Sequence, residues 1–414
     1  MDHKTRIRYL ANINTYFTPG APINSRDLFA GRERQVDQVI STIFQRGTHA
    51  VLFGERGVGK TSLANTIFDF LVFATKNNYL RARLNCAEGM TFSEIWKSVF
   101  KQLVFTEPGG ESSTLDLALP ENPNSENIRE TFHLLDDPTI IIIDELDRIA
   151  DTETRVMLAD TIKTLSDNAI RTTLILVGVA DSVDGLIGEH QSIERAIKQV
   201  PMPRMSKAEL LQIIDTGLEK THGLSVESQV RERIADYSQG LPFYTHLLAR
   251  EACVAAVNSG RTKIIMDDLE AAIKEAVYAQ SETNLTLYNK AVTAPRGIYF
   301  KPVLLACALA QKDEKGYFYA TNVTEPLRAI TNKNYGIPVF AQHLKDFSES
   351  RGPILERDGR RYRFSKPLMG PYVILRGLAD GLIKESQLSH PSAVSSEPEQ
   401  LSLLSSASGP PIEI

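Results

Sequence analysis

In the first two hundred residues, strand-like and helix-like patterns of apolar residues alternate along the chain. Short runs typical of buried strands are "HAVLFG" (49–54), "YLRARLNC" (79–86), "TIIIID" (139–144) and "TTLILVGV" (172–179). Between these runs, apolar residues recur three and four positions apart, as in "GRERQVDQVISTIF" and "TRVMLADTIKTL", which predicts amphipathic helices. Strands that alternate with helices predict an α/β fold with a parallel sheet covered on both faces. We assign this core to residues 31–205.

Other segments of the chain, one of them within the core, have different patterns. Residues 1–30 are predicted to form an irregular N-terminal arm, because a Pro-Gly pair and further prolines interrupt regular structure. Residues 206–285 are helical in pattern, apart from the strand candidate "TKIIM", and predict an all-α lid. Residues 106–127 are rich in Pro, Gly, Ser and Asn and predict a long surface insertion. The Ser- and Pro-rich residues 385–414 predict a disordered tail.

Composition narrows the class of protein. The 414 residues are 42% hydrophobic and contain no apolar run long enough to span a membrane. The N-terminus lacks the apolar stretch of a signal peptide. Cys86, Cys253 and Cys307 form no CxxC pair, so neither a zinc site nor a disulfide framework is predicted. We therefore expect a cytoplasmic protein with no membrane partner.

The segment "GERGVGKT" matches the phosphate-loop pattern G-x-x-x-x-G-K-[ST] and lies between an apolar strand and a helix. In such a loop, backbone N–H groups surround the phosphates, the lysine reaches the β- and γ-phosphates, and the hydroxyl binds Mg²⁺. We therefore predict ATP and Mg²⁺ as cofactors, with Lys60 as a catalytic residue and Thr61 as a metal ligand. The residues predicted to bind the nucleotide are Gly54, Glu55, Arg56, Gly57, Val58, Gly59, Lys60, Thr61 and Ser62.

The second half of the predicted site follows the isoleucine-rich strand. This strand delivers Asp144 to the edge of the sheet, where a carboxylate can hold the water shell of Mg²⁺. Glu145 follows and is predicted to polarise the attacking water. Asp147 and Arg148 are predicted to form an ion pair at a helix start.

These motifs, in this order, resemble those of the AAA+ ATPases over residues 15–385, particularly origin-recognition-type initiators and bacterial STAND-like ATPases. The resemblance implies that residues 23–33, "INSRDLFAGRE", contact the adenine. It places the sensor 1 position, usually Asn in the family, at Asp181. It also matches Arg195 to the arginine finger that acts on a neighbouring subunit, with Arg204 as a second match. A surface charge on a helix is the alternative for Arg195.

The segment "QGLPFYTHLLAREA" departs from the initiator pattern. Phe243 falls where initiators usually have a sensor 2 arginine. The Gly-Leu-Pro that ends at Pro242 resembles the GxP motif of STAND ATPases, whose proline packs on the adenine. A proline at the first turn of an ordinary helix is the alternative. The resemblance therefore implies a slow nucleotide switch.

The basic region at 286–384 resembles a winged-helix domain, with three helices followed by a hairpin. It contains sixteen Lys and Arg against eight Asp and Glu, although the whole chain has a formal charge of −5. In "ERDGRRYRFSKP" (356–367), an Asp-Gly turn predicts a hairpin. Alternation places Arg361 and Arg363 on one face and directs Tyr362 and Phe364 to the domain core. The residues predicted to contact the phosphates of double-stranded DNA are Arg360, Arg361, Arg363 and Lys366.

Three hypotheses follow from these patterns. The first is an ATP-hydrolysing AAA+ switch that binds DNA through its winged helix and assembles into a ring or filament with ATP. The second is a STAND-like signalling ATPase, for instance in defence against mobile elements, whose winged helix packs on the core and binds no DNA. The third is a scaffold that binds ATP without hydrolysing it. In each case we expect the output to need a further effector protein.

Overall fold

The computed structural model describes residues 1–75, 78–106, 112–115, 119–187, 191–278, 282–293 and 299–384. The strands are β1 (His49–Gly54), β2 (Leu80–Asn85), β3 (Val104–Thr106), β4 (Ser112–Thr114), β5 (Thr139–Asp144), β6 (Thr172–Val179), β7 (Ile197–Pro201), β8 (Ser225–Val226), β9 (Lys263–Ile264), β10 (Phe318–Tyr319), β11 (Leu355–Asp358) and β12 (Arg361–Phe364).

The helices continue the same chain-order numbering. They are α1 (His3–Tyr16), α2 (Glu33–Phe44), α3 (Lys60–Ala74), α4 (Phe92–Phe100), α5 (Ser125–His133), α6 (Thr152–Asp167), α7 (Asp184–Ile187), α8 (Lys207–Thr221), α9 (Ser228–Ser238), α10 (Pro242–Asn258), α11 (Met266–Tyr278), α12 (Glu282–Val292), α13 (Phe300–Leu309), α14 (Ala320–Thr331), α15 (Ile337–Glu349) and α16 (Met369–Ala379).

A parallel sheet forms the core, as predicted. It has five strands in the order β2-β5-β6-β1-β7, and β7 was not among the predicted strands. The isoleucines of β5 explain why both faces are covered, since successive side chains of a strand point to opposite faces. Ile140 and Ile142 pack into the apolar cluster that includes α2 and α3, whereas Ile141 and Ile143 pack into the cluster that includes α4, α5 and α6. The parallel strands end at one edge of the sheet, where β1 meets the phosphate loop and β5 ends at Asp144.

The N-terminal arm is not irregular, so this prediction was wrong. Residues 3–16 form helix α1, which begins where the carboxylate of Asp2 accepts a hydrogen bond from the N–H of Thr5. Ile13 and Phe17 are fully buried in the same apolar cluster as the lid helices. The burial of these side chains fixes the arm on the lid.

The predicted lid is helical. It consists of α8, α9, α10 and α11, together with a short parallel pairing of β8 with β9, which includes part of "TKIIM". The predicted insertion at 106–127 includes β4, which pairs antiparallel with β3 at the start of the insertion, and α5 begins near its end. Part of the insertion and the predicted tail at 385–414 lie outside the described residues.

The region after the lid has the element order of a winged helix. Helix α13 is followed by β10, α14, α15 and the hairpin β11–β12, and the three strands pair in the order β10-β12-β11. The hairpin turn lies between Asp358 and Arg361, with Gly359 at a φ of 59°. The predicted pattern lacked the third strand and α16, whose apolar residues pack in one cluster with the lid and α13.

Among the described residues, we find no helix that is long and apolar enough to cross a membrane.

We expect Phe17→Ala to lower the free energy of unfolding by about 3–5 kcal/mol, because it removes a fully buried ring. The ring lies so close to Gly217 that a Cβ there would come within 2.4 Å of it. The matched control is Ile7→Ala in α1, whose side chain is exposed and which should change stability little. Urea unfolding followed by circular dichroism measures both effects. Equal losses in the two variants would contradict the docking of α1.

Candidate nucleotide-binding site

The phosphate loop connects β1 to α3 in a conformation that depends on its glycines. Gly59, with a φ of 96°, immediately precedes α3. At Gly54, a Cβ would come within 2.3 Å of the carbonyl oxygen of Met202, so only glycine permits this close approach of two backbones. Helix α3 begins at Lys60 and directs its N-terminal N–H groups toward the loop, as an anion site requires.

Lys60 is buried inside the phosphate loop. Its Nζ donates hydrogen bonds to the carbonyl oxygens of Gly54 at 2.9 Å and Glu55 at 2.8 Å. Burial lowers the pKa of Lys60 to about 8, although the carboxylates of Asp147 and Asp144 act in the opposite direction. Phosphate oxygens are stronger acceptors for an ammonium group than carbonyl oxygens are. The loop therefore holds a cation that can exchange backbone acceptors for phosphate.

The acidic residues after β5 are each held by a specific partner. The Oδ1 of Asp144 accepts a hydrogen bond from the N–H of Glu145 at 2.8 Å, and its Oδ2 pairs with Arg83 at 2.9 Å. Glu145 has a left-handed backbone and pairs with Arg148 at 2.9 Å. The predicted pair of Asp147 with Arg148 is therefore wrong. Asp147 instead accepts a hydrogen bond from the N–H of Val179 at 2.8 Å, which joins the ends of β5 and β6.

Thr61 and Asp144 line the same cavity and supply the predicted metal ligands. A hydroxyl and a carboxylate are hard oxygen donors, which Mg²⁺ prefers, and a nucleotide's phosphates complete its usual shell. The donor set therefore fits Mg²⁺. Arg83 is a residue that the sequence analysis missed, since its pairing with Asp144 joins two adjacent strands at a site that no motif marks.

A cavity of about 710 Å³ extends from the phosphate loop toward the lid, a volume that suits a nucleotide. The structure brings many of the predicted site residues together in its lining, namely Arg56, Gly57, Val58, Gly59, Lys60, Thr61, Ser62, Asp144, Glu145 and Pro242. The predicted adenine segment 23–33 also contributes to the lining, through Ile23, Leu28, Phe29, Ala30 and Arg32. Gly54 and Glu55 are not part of the lining.

Residues 18–22 form a wall of the cavity that the sequence analysis missed. They follow α1 and are continuous with Ile23, whose N–H donates a hydrogen bond to the Oγ of Ser62 at 3.1 Å. The buried guanidinium of Arg32 donates to the carbonyl oxygen of Val58 at 3.0 Å. The arm thus connects the lid to the phosphate loop. Pro19 and Pro22, which interrupt regular structure after α1, both line the cavity.

The far wall comes from the lid and from the winged-helix region. Pro242 and His246 lie one turn apart in α10 and both face the cavity, and burial lowers the pKa of His246 to about 4. Leu368, between the hairpin and α16, comes within 3.4 Å of the position that a Cβ on Gly57 would take. Its carbonyl oxygen accepts a hydrogen bond from the hydroxyl of Tyr244 at 2.8 Å. The winged-helix region is therefore docked against the phosphate loop.

A buried chain of polar groups continues this contact. Glu55 turns away from the cavity and forms an ion pair with Arg204, with side chains 10% and 9% exposed. Arg204 also donates to the carbonyl oxygen of Gln239 at 3.2 Å, and the Oε1 of Gln239 accepts from Lys312 at 3.1 Å. Burial and the charge of Arg204 lower the pKa of Lys312 to about 7. The prediction of Arg204 as a second arginine finger was wrong, because its guanidinium is buried in an ion pair with Glu55 of the same chain.

Asp181 and Arg195 lie outside the cavity. Asp181 forms an ion pair at 2.9 and 3.2 Å with Arg363 of the hairpin β11–β12, which we call the wing. The side chain of Arg195 is 81% exposed and contacts Asp167 at 3.1 Å. A contact of Arg195 with a neighbouring subunit stays a prediction.

The hairpin β11–β12 forms as predicted, but two of the four residues predicted to contact DNA are paired within the chain. Tyr362 and Phe364 are buried, as predicted. Arg361 pairs with Asp358, and Arg363 pairs with Glu356 and Asp181, so neither guanidinium lies free on the surface. The exposed members of the predicted DNA-binding set are Arg360 and Lys366.

Known proteins resemble the chain, in sequence over part of its length and in fold. Residues 44–187 match the family described as "AAA domain". The Walker-type ATPase PABY2304 of Pyrococcus abyssi is 15% identical, with 86% of this chain and 98% of that chain covered, at a TM-score of 0.51. The ORC2 protein of Aeropyrum pernix, in ADPNP and ADP complexes, is 15% identical, with 86% and 91% covered, at 0.47. No curated protein sequence matches the chain.

We expect Arg204→Ala to destabilise the protein by about 3–5 kcal/mol, since it leaves the Glu55 carboxylate buried without its partner. Arg195→Ala is the matched control, because its guanidinium is exposed and its ion pair is on the surface. We expect it to leave the free energy of unfolding unchanged within error. Urea unfolding of both variants tests this difference. A stability of Arg204→Ala equal to that of the parent would contradict the buried pair.

Proposed function

Since residues 44–187 are an AAA domain of the P-loop class, we propose that the chain is an ATP-binding and ATP-hydrolysing switch whose winged-helix domain moves with its nucleotide state. The observation that carries this proposal is the position of Leu368 in the cavity lining beside Gly57, because it makes the winged-helix region a wall of the nucleotide cavity. Any nucleotide in this cavity lies beside both domains. Its binding energy can therefore depend on whether they are docked.

The residues of the cavity divide the chemistry between them. Lys60 and the loop N–H groups bind the β- and γ-phosphates, and Pro242 borders the base. Thr61 and Asp144 would hold Mg²⁺, which would supply positive charge to neutralise the phosphates. Glu145 exchanges its partner Arg148 for the attacking water and polarises it. The side chain of Phe243, in place of an arginine, supplies no charge for the γ-phosphate, so we propose that turnover is slow.

Duplex DNA is the proposed partner of the winged helix. The support is the excess of basic residues in 286–384 and the exposure of Arg360 and Lys366 on the wing. Helix α15, which would face the major groove, offers an exposed Val339 and a lysine, Lys345, near Glu349 at 3.9 Å. These groups read base edges poorly. We therefore propose phosphate contacts with weak sequence preference.

A STAND-like signalling ATPase is the second candidate function. A specific observation favours it, since Arg361 and Arg363 are paired with carboxylates within the chain and the winged-helix region is docked on the core. On this proposal the winged helix closes the nucleotide cavity, and an effector protein receives the signal. Salt-dependent binding to duplex DNA would distinguish the first candidate from the second.

We expect Lys60→Ala to abolish ATP binding or turnover, because it removes the charge that faces the β- and γ-phosphates. Glu145→Gln should retain binding and lose hydrolysis. Binding is measured with a fluorescent ATP analogue and turnover by phosphate release, with circular dichroism as the control for folding. Hydrolysis by Glu145→Gln at the parent rate would contradict the role of Glu145.

Assembly into a ring or filament is proposed through Arg195, whose exposed guanidinium can reach a neighbouring subunit. We expect Arg195→Ala to lower turnover without changing the nucleotide affinity of the isolated subunit. A mixture of Arg195→Ala and Lys60→Ala proteins should recover part of the activity, since a mixed interface pairs an intact loop with an intact arginine. Turnover that is independent of concentration, with no recovery in the mixture, would contradict this role.

A further inference from the structure

Two positions that the sequence analysis assigned to different functions are bound to each other. Asp181 follows β6, at the position expected to sense the nucleotide, and Arg363 lies on the wing expected to contact DNA. Both carboxylate oxygens of Asp181 accept hydrogen bonds from the Nη1 of Arg363, at 2.9 and 3.2 Å. Lys315, in the loop before β10, donates to the main-chain carbonyl oxygen of Asp181 at 3.2 Å. The core thus contacts the wing through the carboxylate of Asp181.

The face of the wing that contacts Asp181 carries two arginines that can bind an anion. Arg361 and Arg363 lie two residues apart on the same face of β12, and each guanidinium is 4.6 Å from the centre of the Tyr317 ring. Tyr317 therefore holds both cations in place through cation–π contacts. Carboxylates and phosphates present similar pairs of acceptor oxygens to a guanidinium. Asp181 occupies the position on Arg363 that a backbone phosphate would take.

We infer that the ATPase core occludes the DNA-binding face of the wing, so that Asp181 and a DNA phosphate compete for Arg363. This inference rests on the proposed binding of duplex DNA and adds its regulation. Glu356 pairs with Arg363 within the hairpin and moves with the wing, whereas Asp181 belongs to the core and is left behind when the wing undocks. Arg360 and Lys366 stay exposed in the docked arrangement and give DNA its first contacts. Because coupling is reciprocal, DNA that captures Arg363 also favours undocking of Leu368 from the nucleotide cavity.

The test compares two substitutions that change the net charge equally. Asp181→Asn removes the competitor, whereas Asp184→Asn removes an exposed carboxylate three residues away that has no ion pair among the residues described in the structure. Affinity is measured by fluorescence anisotropy on two duplexes of unrelated sequence, at several salt concentrations. We expect Asp181→Asn to bind both duplexes on the order of three- to tenfold more tightly than the parent at low salt, and Asp184→Asn to bind them nearly as the parent does. High salt should reduce the difference.

Hydrogen exchange of residues 355–364 provides the second readout. The Asp181→Asn variant should exchange faster than the parent in this hairpin, and the Asp184→Asn variant should not. Equal DNA affinities of Asp181→Asn and the parent would overturn the competition and leave DNA binding intact. Equal increases in DNA affinity in both variants would show that net charge alone causes the effect. This result would also overturn the competition. Binding of DNA by none of the proteins would overturn the inference together with the proposed partner.

Discussion

One buried guanidinium links the phosphate loop to the arrangement of the domains. Arg204 lies between the carboxylate of Glu55 in the loop and the carbonyl oxygen of Gln239 in the lid, and Lys312 of the winged-helix region reaches the side chain of the same glutamine. A buried charge that loses its partner is costly, so these groups favour remaining together. Movement of the loop, of the lid or of the winged-helix region therefore affects the other two.

Several charged side chains that the sequence motifs predict to bind ligands have partners within the chain. Lys60 bonds to loop carbonyl groups, Asp144 pairs with Arg83, Glu145 pairs with Arg148, and Arg363 pairs with Asp181. On the proposed function, each of these contacts is exchanged when a phosphate, a metal, a water or a DNA strand takes its place. In the proposed switch, such exchange couples the binding of one ligand to the binding of the others.

The sequence predicted those parts of the fold and site that depend on local pattern. The isoleucine run of β5 and the glycines of the phosphate loop each determine local geometry, so the sheet and the loop followed from them. Tyr9, Ile13 and Phe17 recur every four residues, a spacing typical of a helix, and the prolines that interrupt regular structure lie after α1. The ion pair of Asp181 with Arg363 and the position of Leu368 beside Gly57 bring together residues far apart in sequence. They arise from the docking of domains, and no local pattern specifies them.

The most direct test of the account is the distance between the core and the winged-helix region in solution. Spin labels on Glu153→Cys in α6 and Lys333→Cys after α14 would report it, since both positions are exposed and Cys86, Cys253 and Cys307 are all buried. Competition between docking and DNA binding predicts one narrow distance distribution in the free protein and a longer, broader one after addition of duplex DNA. Bound DNA with an unchanged distance distribution would contradict the claim that docking and DNA binding compete.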